Sequence, residues 1–159
     1  MTLPKQLPKI PRKLHSKSEA DTESLGRRLA EHLPDGTVIS LIGTLGAGKT
    51  RLVRAVAEAM GVPEFTVSSP TFVLVHQYAQ GQRPIFHLDA YRIESDKEFQ
   101  HLGTDEMFET DGLVFVEWAD RIESSMPSER FEIRIAVLGD EERLFELCGI
   151  GPRYEILFQ

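Results

Sequence analysis

Helical and strand patterns alternate along the first half of the chain. Three leucines recur four residues apart and predict the apolar face of a helix: Leu25, Leu29 and Leu33. Ser16 and Glu19 have the spacing of a capping box, which predicts that this helix begins there. The segment 37–42 (TVISLI) is typical of a buried strand. An amphipathic pattern at 49–60 predicts a second helix, which Gly61 ends.

The second half of the chain is richer in strand patterns. Apolar segments predict strands at 72–78, 85–89, 113–117, 131–137 and 144–147, with one short helix at 95–102. The last two strands flank a turn at Gly139 and Asp140 and form a hairpin. Strands interleaved with helices and followed by hairpins are typical of a three-layer α/β domain. We therefore predict a mixed, largely parallel central sheet with antiparallel strands at its edges.

Length and composition predict one globular domain without intrachain disulfides. The chain has 159 residues, of which 41% are hydrophobic and 27% charged, as is ordinary for a soluble domain. No apolar run approaches the ~20 residues that a membrane-spanning helix needs, so we expect no membrane segment. Cys148 is the only cysteine, which excludes an intrachain disulfide and favours a reducing cytoplasm. We expect this thiol to be buried on a strand and inert.

Charge divides the chain into a basic start and an acidic body. Residues 1–18 contain five basic side chains and no acidic one: Lys5, Lys9, Arg12, Lys13 and Lys17. The remainder carries a net charge of −12, which would be repelled by a phosphate backbone, so we expect no tight binding to nucleic acid by this chain alone. We predict that residues 1–15 are a disordered leader and that residues 16–159 form a single domain.

A phosphate-binding motif follows the first predicted strand. Residues 43–50 match G-x-x-x-x-G-K-[ST] in full: Gly43, Thr44, Leu45, Gly46, Ala47, Gly48, Lys49 and Thr50. Glycines let the backbone N–H groups approach phosphates closely, and the following helix directs its positive end at the same anion. Lys49 is expected to contact the terminal phosphates, and the Thr50 hydroxyl to bind magnesium. The sequence thus predicts a P-loop nucleotidase-like domain that binds ATP with magnesium.

Two acidic residues end predicted strands and are candidates for the rest of this site. Asp89 closes the strand 85–89, and Glu117 closes the strand 113–117. The carboxyl ends of strands in an α/β sheet face the ligand crevice, so both acids are expected near the phosphates. Each could instead be a solvated acid at a strand end. His87 could form a metal pair with Asp89, but we favour a hydrogen-bonded packing role for it.

Four segments together resemble the bacterial TsaE (YjeE) family of ATPases, which support threonylcarbamoyladenosine modification of tRNA. The P-loop sequence GTLGAGKT differs from the family's usual GDLGAGKT only at Thr44. Residues 69–72 reproduce the family's S-P-T-aromatic stretch, and residues 87–92 resemble its H-x-D-x-Y-R motif. Glu117 and Trp118 match its acid–tryptophan pair. The motifs keep the family's order and spacing between about Ser16 and Val137.

This resemblance implies roles for individual residues. Thr50, Asp89 and Glu117 would gather around magnesium and the attacking water, and Lys49 would hold the phosphates. Thr71 would be a switch residue that responds to the γ-phosphate. Trp118 would lie near the nucleotide, although a tryptophan of the core is an open alternative. At Thr44 the chain lacks an acid that the family commonly has, which puts any role of that acid in doubt.

The resemblance also implies partners and a mode of action. ATP hydrolysis would drive a complex of TsaD and TsaB, which transfers the threonylcarbamoyl group to tRNA. The chain would meet tRNA only indirectly, through that complex, and would turn over ATP slowly alone.

Three other functions remain open from the sequence. A P-loop small-molecule kinase would need an arginine-bearing lid, for which Arg83 and Arg92 are available, but no long lid segment is evident. A non-catalytic nucleotide-gated adaptor would keep the site without turnover. A GTPase switch is disfavoured because the chain has no N-K-x-D motif for reading guanine.

Overall fold

Apolar residues fill consecutive positions of the central strands, so both faces of the sheet are buried. The computed structural model describes residues 10–158. Its seven strands are β1 (Lys13–Ser16), β2 (Val38–Gly43), β3 (Val75–Tyr78), β4 (Ile85–Asp89), β5 (Leu113–Glu117), β6 (Arg130–Val137) and β7 (Arg143–Ile150). They form one sheet in the order β1-β7-β6-β2-β5-β4-β3. Strands β6, β2, β5 and β4 run parallel, while β3, β7 and β1 pair antiparallel outside them. The predicted fold class is confirmed.

Helices cover the sheet on both faces and produce three layers. They are α1 (Glu19–His32), α2 (Lys49–Ala59), α3 (Asp96–Gln100), α4 (Thr104–Phe108) and α5 (Pro152–Glu155), with 3₁₀ segments at Ala119–Ser125 and Ile156–Phe158. One apolar core packs α1 and α2 against the sheet, and a second core packs α3 and the first 3₁₀ segment against its other face. None of the helices in residues 10–158 is long and apolar enough to cross a membrane.

The predicted start of α1 is wrong by two residues. The N-cap is Ser18, whose side chain accepts a hydrogen bond from the Asp21 amide at 3.3 Å. Ser16 instead ends β1, and its hydroxyl donates to the Ser18 carbonyl at 2.9 Å. Ser16 is already used in strand pairing, so the next serine caps the helix.

Part of the predicted leader is folded. Strand β1 pairs with β7 antiparallel, with Leu14 opposite Phe145. Ile10 is fully buried, and its amide donates to the Leu157 carbonyl at 3.1 Å. The prediction of disorder is therefore wrong for residues 10–15, because the edge of β7 supplies backbone partners that no local pattern reveals. The rest of that prediction, for residues 1–9, lies outside the described residues.

Close packing between α1 and α2 positions the helix that follows the P-loop. A Cβ added to Gly26 would lie only 2.5 Å from the Cβ of Ala55, so glycine is needed where the two helices meet. Arg83 holds the end of α1 by donating to the carbonyls of Leu33 at 2.7 Å and Ala30 at 2.9 Å. These contacts fix α2 against the sheet and thus fix the loop from which α2 emerges.

Cys148 lies on β7, as expected, but it is exposed rather than buried. Side chains alternate across a strand, and the neighbouring Leu147 points into the core. Strand β7 extends beyond the predicted end at residue 147, and the alternation places the Cys148 side chain on the solvent side.

Candidate functional site

The P-loop connects β2 to α2 and uses glycine for two different reasons. Gly46 and Gly48 have φ values of +78° and +105°, a region that side chains other than glycine rarely adopt. A Cβ at either residue would have no neighbour within 4 Å, so the loop leaves open space on this side. At Gly43 the reason is crowding, because a Cβ would lie 2.8 Å from the Ile135 carbonyl oxygen of β6. The loop is therefore shaped to admit an anion close to its backbone.

Lys49 is held inside the loop by the loop's own carbonyls. Its Nζ donates to the Gly43 oxygen at 2.7 Å and to the Thr44 oxygen at 3.0 Å. The side chain of Lys49 is buried, which lowers its pKa, while the nearby carboxylates of Glu117 and Asp89 act in the opposite direction. A buried ammonium bonded only to neutral carbonyls is prepared to exchange them for phosphate oxygens.

Glu117 joins the P-loop helix to a buried histidine. The Thr50 hydroxyl donates to Glu117 Oε2 at 2.9 Å. With its Nε2 protonated, His87 donates to the same oxygen at 2.5 Å. His87 is fully buried, and its Nδ1 has no hydrogen-bond partner within residues 10–158. His87 thus orients Glu117, and it forms no pair with Asp89.

Asp89 lies beside Glu117 but serves a different loop. The two acids occupy paired positions on the neighbouring parallel strands β4 and β5, and both are nearly fully buried. Thr71 donates to Asp89 Oδ2 at 2.9 Å, and the Tyr91 amide donates to Oδ1 at 2.8 Å. Ser69 and Thr71 share a further hydrogen bond of 2.7 Å. Asp89 therefore connects the loop that carries Thr71 to the carboxyl end of β4.

Trp118 lines the cleft and also packs, half-buried, against the second apolar core. Its backbone is in the left-handed conformation at φ 59°, which directs the chain from β5 into the 3₁₀ segment. The ring lies 4.0 Å from the Lys49 Nζ, in a cation–π contact, and 4.9 Å from the ring of Tyr91. Trp118 therefore stands directly over the side chain that is expected to bind phosphate.

All the site residues predicted from the sequence border one cleft or the loop that forms it. The cleft has a volume of about 670 Å³ and includes Lys49, Thr50, Thr71, Asp89, Glu117 and Trp118 in its wall. The wall also includes residues that the sequence did not identify as members of the site: Ser18, Glu19, Thr22, Arg51, Arg54, Asp140, Glu141 and Arg143. These come from the start of α1, from α2 and from the β6–β7 hairpin, and no nucleotide-binding motif includes them.

The oxygen atoms at the cleft suit magnesium only with help from a ligand. Across residues 10–158, no group of three or more His, Cys, Asp or Glu side chains could hold a metal by itself. The hydroxyl of Thr50 and the carboxylates of Asp89 and Glu117 are the hard oxygen ligands that magnesium prefers. This set fits a magnesium ion that is completed by phosphate oxygens and water.

Comparisons with known proteins agree on one family. The family model described as "Threonylcarbamoyl adenosine biosynthesis protein TsaE" matches residues 16–145. The "tRNA threonylcarbamoyladenosine biosynthesis protein TsaE" of Bacillus subtilis is 40% identical over 137 residues, which cover 86% of this chain and 85% of the relative. The protein of that name from Treponema pallidum is 35% identical, over 80% and 93% of the two chains. The crystal structure of Bacillus subtilis YdiB superposes with a TM-score of 0.75 at 34% identity, over 91% of this chain and 89% of that one.

Proposed function

Because the chain belongs to the TsaE family of tRNA threonylcarbamoyladenosine biosynthesis proteins, we propose that it is a magnesium-dependent ATPase that acts on a TsaD–TsaB complex during this modification. The single observation that carries the ATPase assignment is the contact between Thr50 and Glu117. It brings the hydroxyl that ends the P-loop motif against a buried carboxylate, beside the Lys49 ammonium. A buried acid bonded to this hydroxyl suits a magnesium ligand and a group that orients water, which the phosphate-binding loop alone does not supply.

In the proposed reaction, each residue has a part that its contacts support. A water oxygen forms a bond to the γ-phosphorus, the bond from that phosphorus to the β–γ bridging oxygen breaks, and ADP leaves with phosphate as the second product. Lys49 would neutralise charge on the transferred group. Bound magnesium would add further charge neutralisation at the β- and γ-phosphates, with Thr50 and the two carboxylates as its protein ligands. Glu117 would orient the attacking water or accept its proton.

The contacts of the two acids suggest how their work is divided. Glu117 bonds Thr50, so it belongs to the side of the cleft that holds metal and water. Asp89 bonds Thr71, so it connects the metal side to the proposed switch loop. In this arrangement a γ-phosphate would compete for the Thr71 hydroxyl and release its bond to Asp89. The loop next to Thr71 carries Phe72, whose side chain is 82% exposed, so its movement would change the surface offered to a partner.

The rival function as a small-molecule kinase gains no support from the two arginines that the sequence offered for a lid. Arg83 is committed to the end of α1. Arg92 stacks its guanidinium 4.6 Å above the ring of Phe72, in the proposed switch loop. Phosphate transfer from ATP to a metabolite would nevertheless revive this function.

The proposed nucleotide site is tested by titration of ATP with calorimetry, with and without magnesium. We expect tighter binding of ATP with magnesium than without it, and slow release of phosphate by the chain alone. Failure to bind ATP under both conditions would remove the proposed function.

The fluorescence of Trp118 is expected to report nucleotide binding. Trp118 is the only tryptophan of the chain, and its ring lies over the Lys49 ammonium. Phosphate binding would draw the Lys49 ammonium away from the ring and place negative charge near it, so the emission intensity should change. The change should saturate with the same dissociation constant for ATP as calorimetry gives. The Trp118→Phe variant, which lacks tryptophan, serves as the blank. Unchanged emission at ATP concentrations that saturate the calorimetric signal would contradict the placement of the ring.

Replacing Thr71 by valine is expected to affect turnover more than binding. The substitution keeps the shape but removes the hydroxyl that donates to Asp89. Loss of a positioned group of this kind lowers kcat by about tenfold or more, while the dissociation constant for ATP changes by about threefold or less. Thr110→Val is the matched control, since the Thr110 hydroxyl bonds only the Met107 carbonyl outside the cleft. Normal kcat in Thr71→Val would remove the switch role.

A further inference from the structure

Arg143, at the start of β7, joins the β6–β7 hairpin to the P-loop through backbone carbonyls alone. Its Nε donates to the Ala47 oxygen at 3.0 Å, and its Nη2 donates to the Gly46 oxygen at 3.3 Å. Its Nη1 donates to the carbonyls of Gly139 at 2.7 Å and Glu142 at 2.9 Å in the hairpin turn. One guanidinium therefore connects two segments that are almost a hundred residues apart in the sequence.

These contacts act on the part of the P-loop that must face a phosphate. The C=O and N–H of a trans peptide point in opposite directions. Because Arg143 holds the Ala47 carbonyl, the amide of Gly48 in the same peptide unit is directed away from the guanidinium. The Gly46 carbonyl is held in the same way, while the Ala47 amide closes a turn onto the Thr44 carbonyl at 3.0 Å.

We propose that Arg143 is a positioning residue for nucleotide binding. It clamps the carbonyls of Gly46 and Ala47 and keeps the P-loop in its phosphate-binding conformation before the nucleotide arrives. The role rests on the proposed function, since it needs a nucleotide at this loop. The planar guanidinium suits it because several donors in a rigid fork reach carbonyls on both segments at once, whereas a lysine ammonium on a flexible stem cannot reproduce that geometry.

The clamp also explains why glycine residues can be tolerated in a loop that must be rigid. Gly46 and Gly48 have the widest backbone freedom of any residue type, and ordering them at the moment of binding would weaken affinity. Arg143 restricts the peptide units next to both glycines in advance. Its effect should therefore appear in nucleotide affinity, while the chemical step of bound ATP stays the same.

Two substitutions of Arg143 and one matched control test this role. Arg143→Ala removes the clamp, and Arg143→Lys keeps the positive charge but not the fork. Arg134→Ala is the control, because Arg134 lies on the neighbouring strand β6 and its guanidinium bonds Glu132 at 2.6 Å rather than the loop. ATP affinity is measured by calorimetry, KM and kcat by phosphate release, and folding by the thermal midpoint without nucleotide.

We expect both Arg143 variants to bind ATP about tenfold more weakly or worse, with KM raised by the same factor and kcat within about twofold. Arg134→Ala should stay within about twofold of the unsubstituted chain in ATP affinity, KM and kcat. If Arg143→Ala does not fold, Arg143→Lys decides the question. ATP affinity in the Arg143 variants within twofold of the unsubstituted chain, or full recovery with lysine, would overturn the clamp. If the unsubstituted chain does not bind ATP, both the proposed function and the clamp are overturned.

Discussion

Replacement of Lys49 by alanine is expected to abolish measurable ATP binding. The ammonium of Lys49 is held at the base of the P-loop by two carbonyls at 2.7 and 3.0 Å, where phosphate oxygens would take their place. A hydrogen bond to a charged partner contributes about 1.5–3 kcal/mol, and the ammonium can make two of them with a triphosphate. The loss of both corresponds to an affinity lower by roughly a hundredfold or more.

The stability of the Lys49→Ala protein should separate this loss from unfolding. Burial lowers the pKa of Lys49, which means that folding disfavours the charged form of the side chain. Removing the ammonium relieves that cost below the pKa of the unfolded lysine, so the thermal midpoint without nucleotide should stay within about 4 °C of its original value or rise. Lys97→Ala, at an exposed lysine of α3, is the control for charge. ATP affinity within tenfold of the original in Lys49→Ala would contradict the assignment of the site.

Replacement of Glu117 is expected to remove turnover and spare binding. Its carboxylate accepts hydrogen bonds from Thr50 and His87 and lies next to Asp89 in the sheet register. A positioned general base or water ligand contributes about 10²–10⁴ in rate, so Glu117→Ala should lower kcat by about a hundredfold or more. The affinity for ATP should change by about fivefold or less, because the P-loop and Lys49 are untouched.

Two comparisons make the Glu117 result specific. Glu117→Gln keeps an acceptor oxygen for Thr50 and His87 but cannot take a proton, so it should fold normally and still lose turnover. Glu106→Gln, at an exposed acid of α4, should behave as the original protein. The kcat of each variant is measured as phosphate release at saturating ATP, and its ATP affinity is measured by calorimetry. Loss of ATP binding in Glu117→Ala as severe as in Lys49→Ala would show that Glu117 is not primarily catalytic.

The sequence predicted the site where its signals are local. The P-loop pattern is contiguous, and the acids Asp89 and Glu117 each end a mainly apolar strand pattern. The structure reproduces the predicted bounds of β4 and β5 and brings the two acids into register. The rule that parallel strands end at one edge of the sheet was sufficient to place them together.

The sequence did not predict contacts that depend on distant partners. Strand β1 forms because β7 offers an open edge, and the basic residues around it resemble a solvated leader when the partner strand is not considered. Arg143 reaches the P-loop across 97 positions of sequence, and an isolated arginine beside a turn has no pattern that distinguishes it. The hydrogen bond between His87 and Glu117 likewise depends on the register of β4 and β5, which neither residue reveals by itself.

We propose that this chain hydrolyses ATP in support of a complex that transfers threonylcarbamoyl groups to tRNA. The most direct measurement is phosphate release by the purified chain alone and then with TsaD, TsaB and tRNA, with threonylcarbamoyladenosine quantified in the same reactions. We expect slow phosphate release by the chain alone, faster release with the complex, and sustained formation of the modified nucleoside, which the Lys49→Ala variant should not support. The proposed function would be contradicted by two results together, with every component shown to be active. Phosphate release would not increase with the complex, and tRNA modification would proceed equally without the chain.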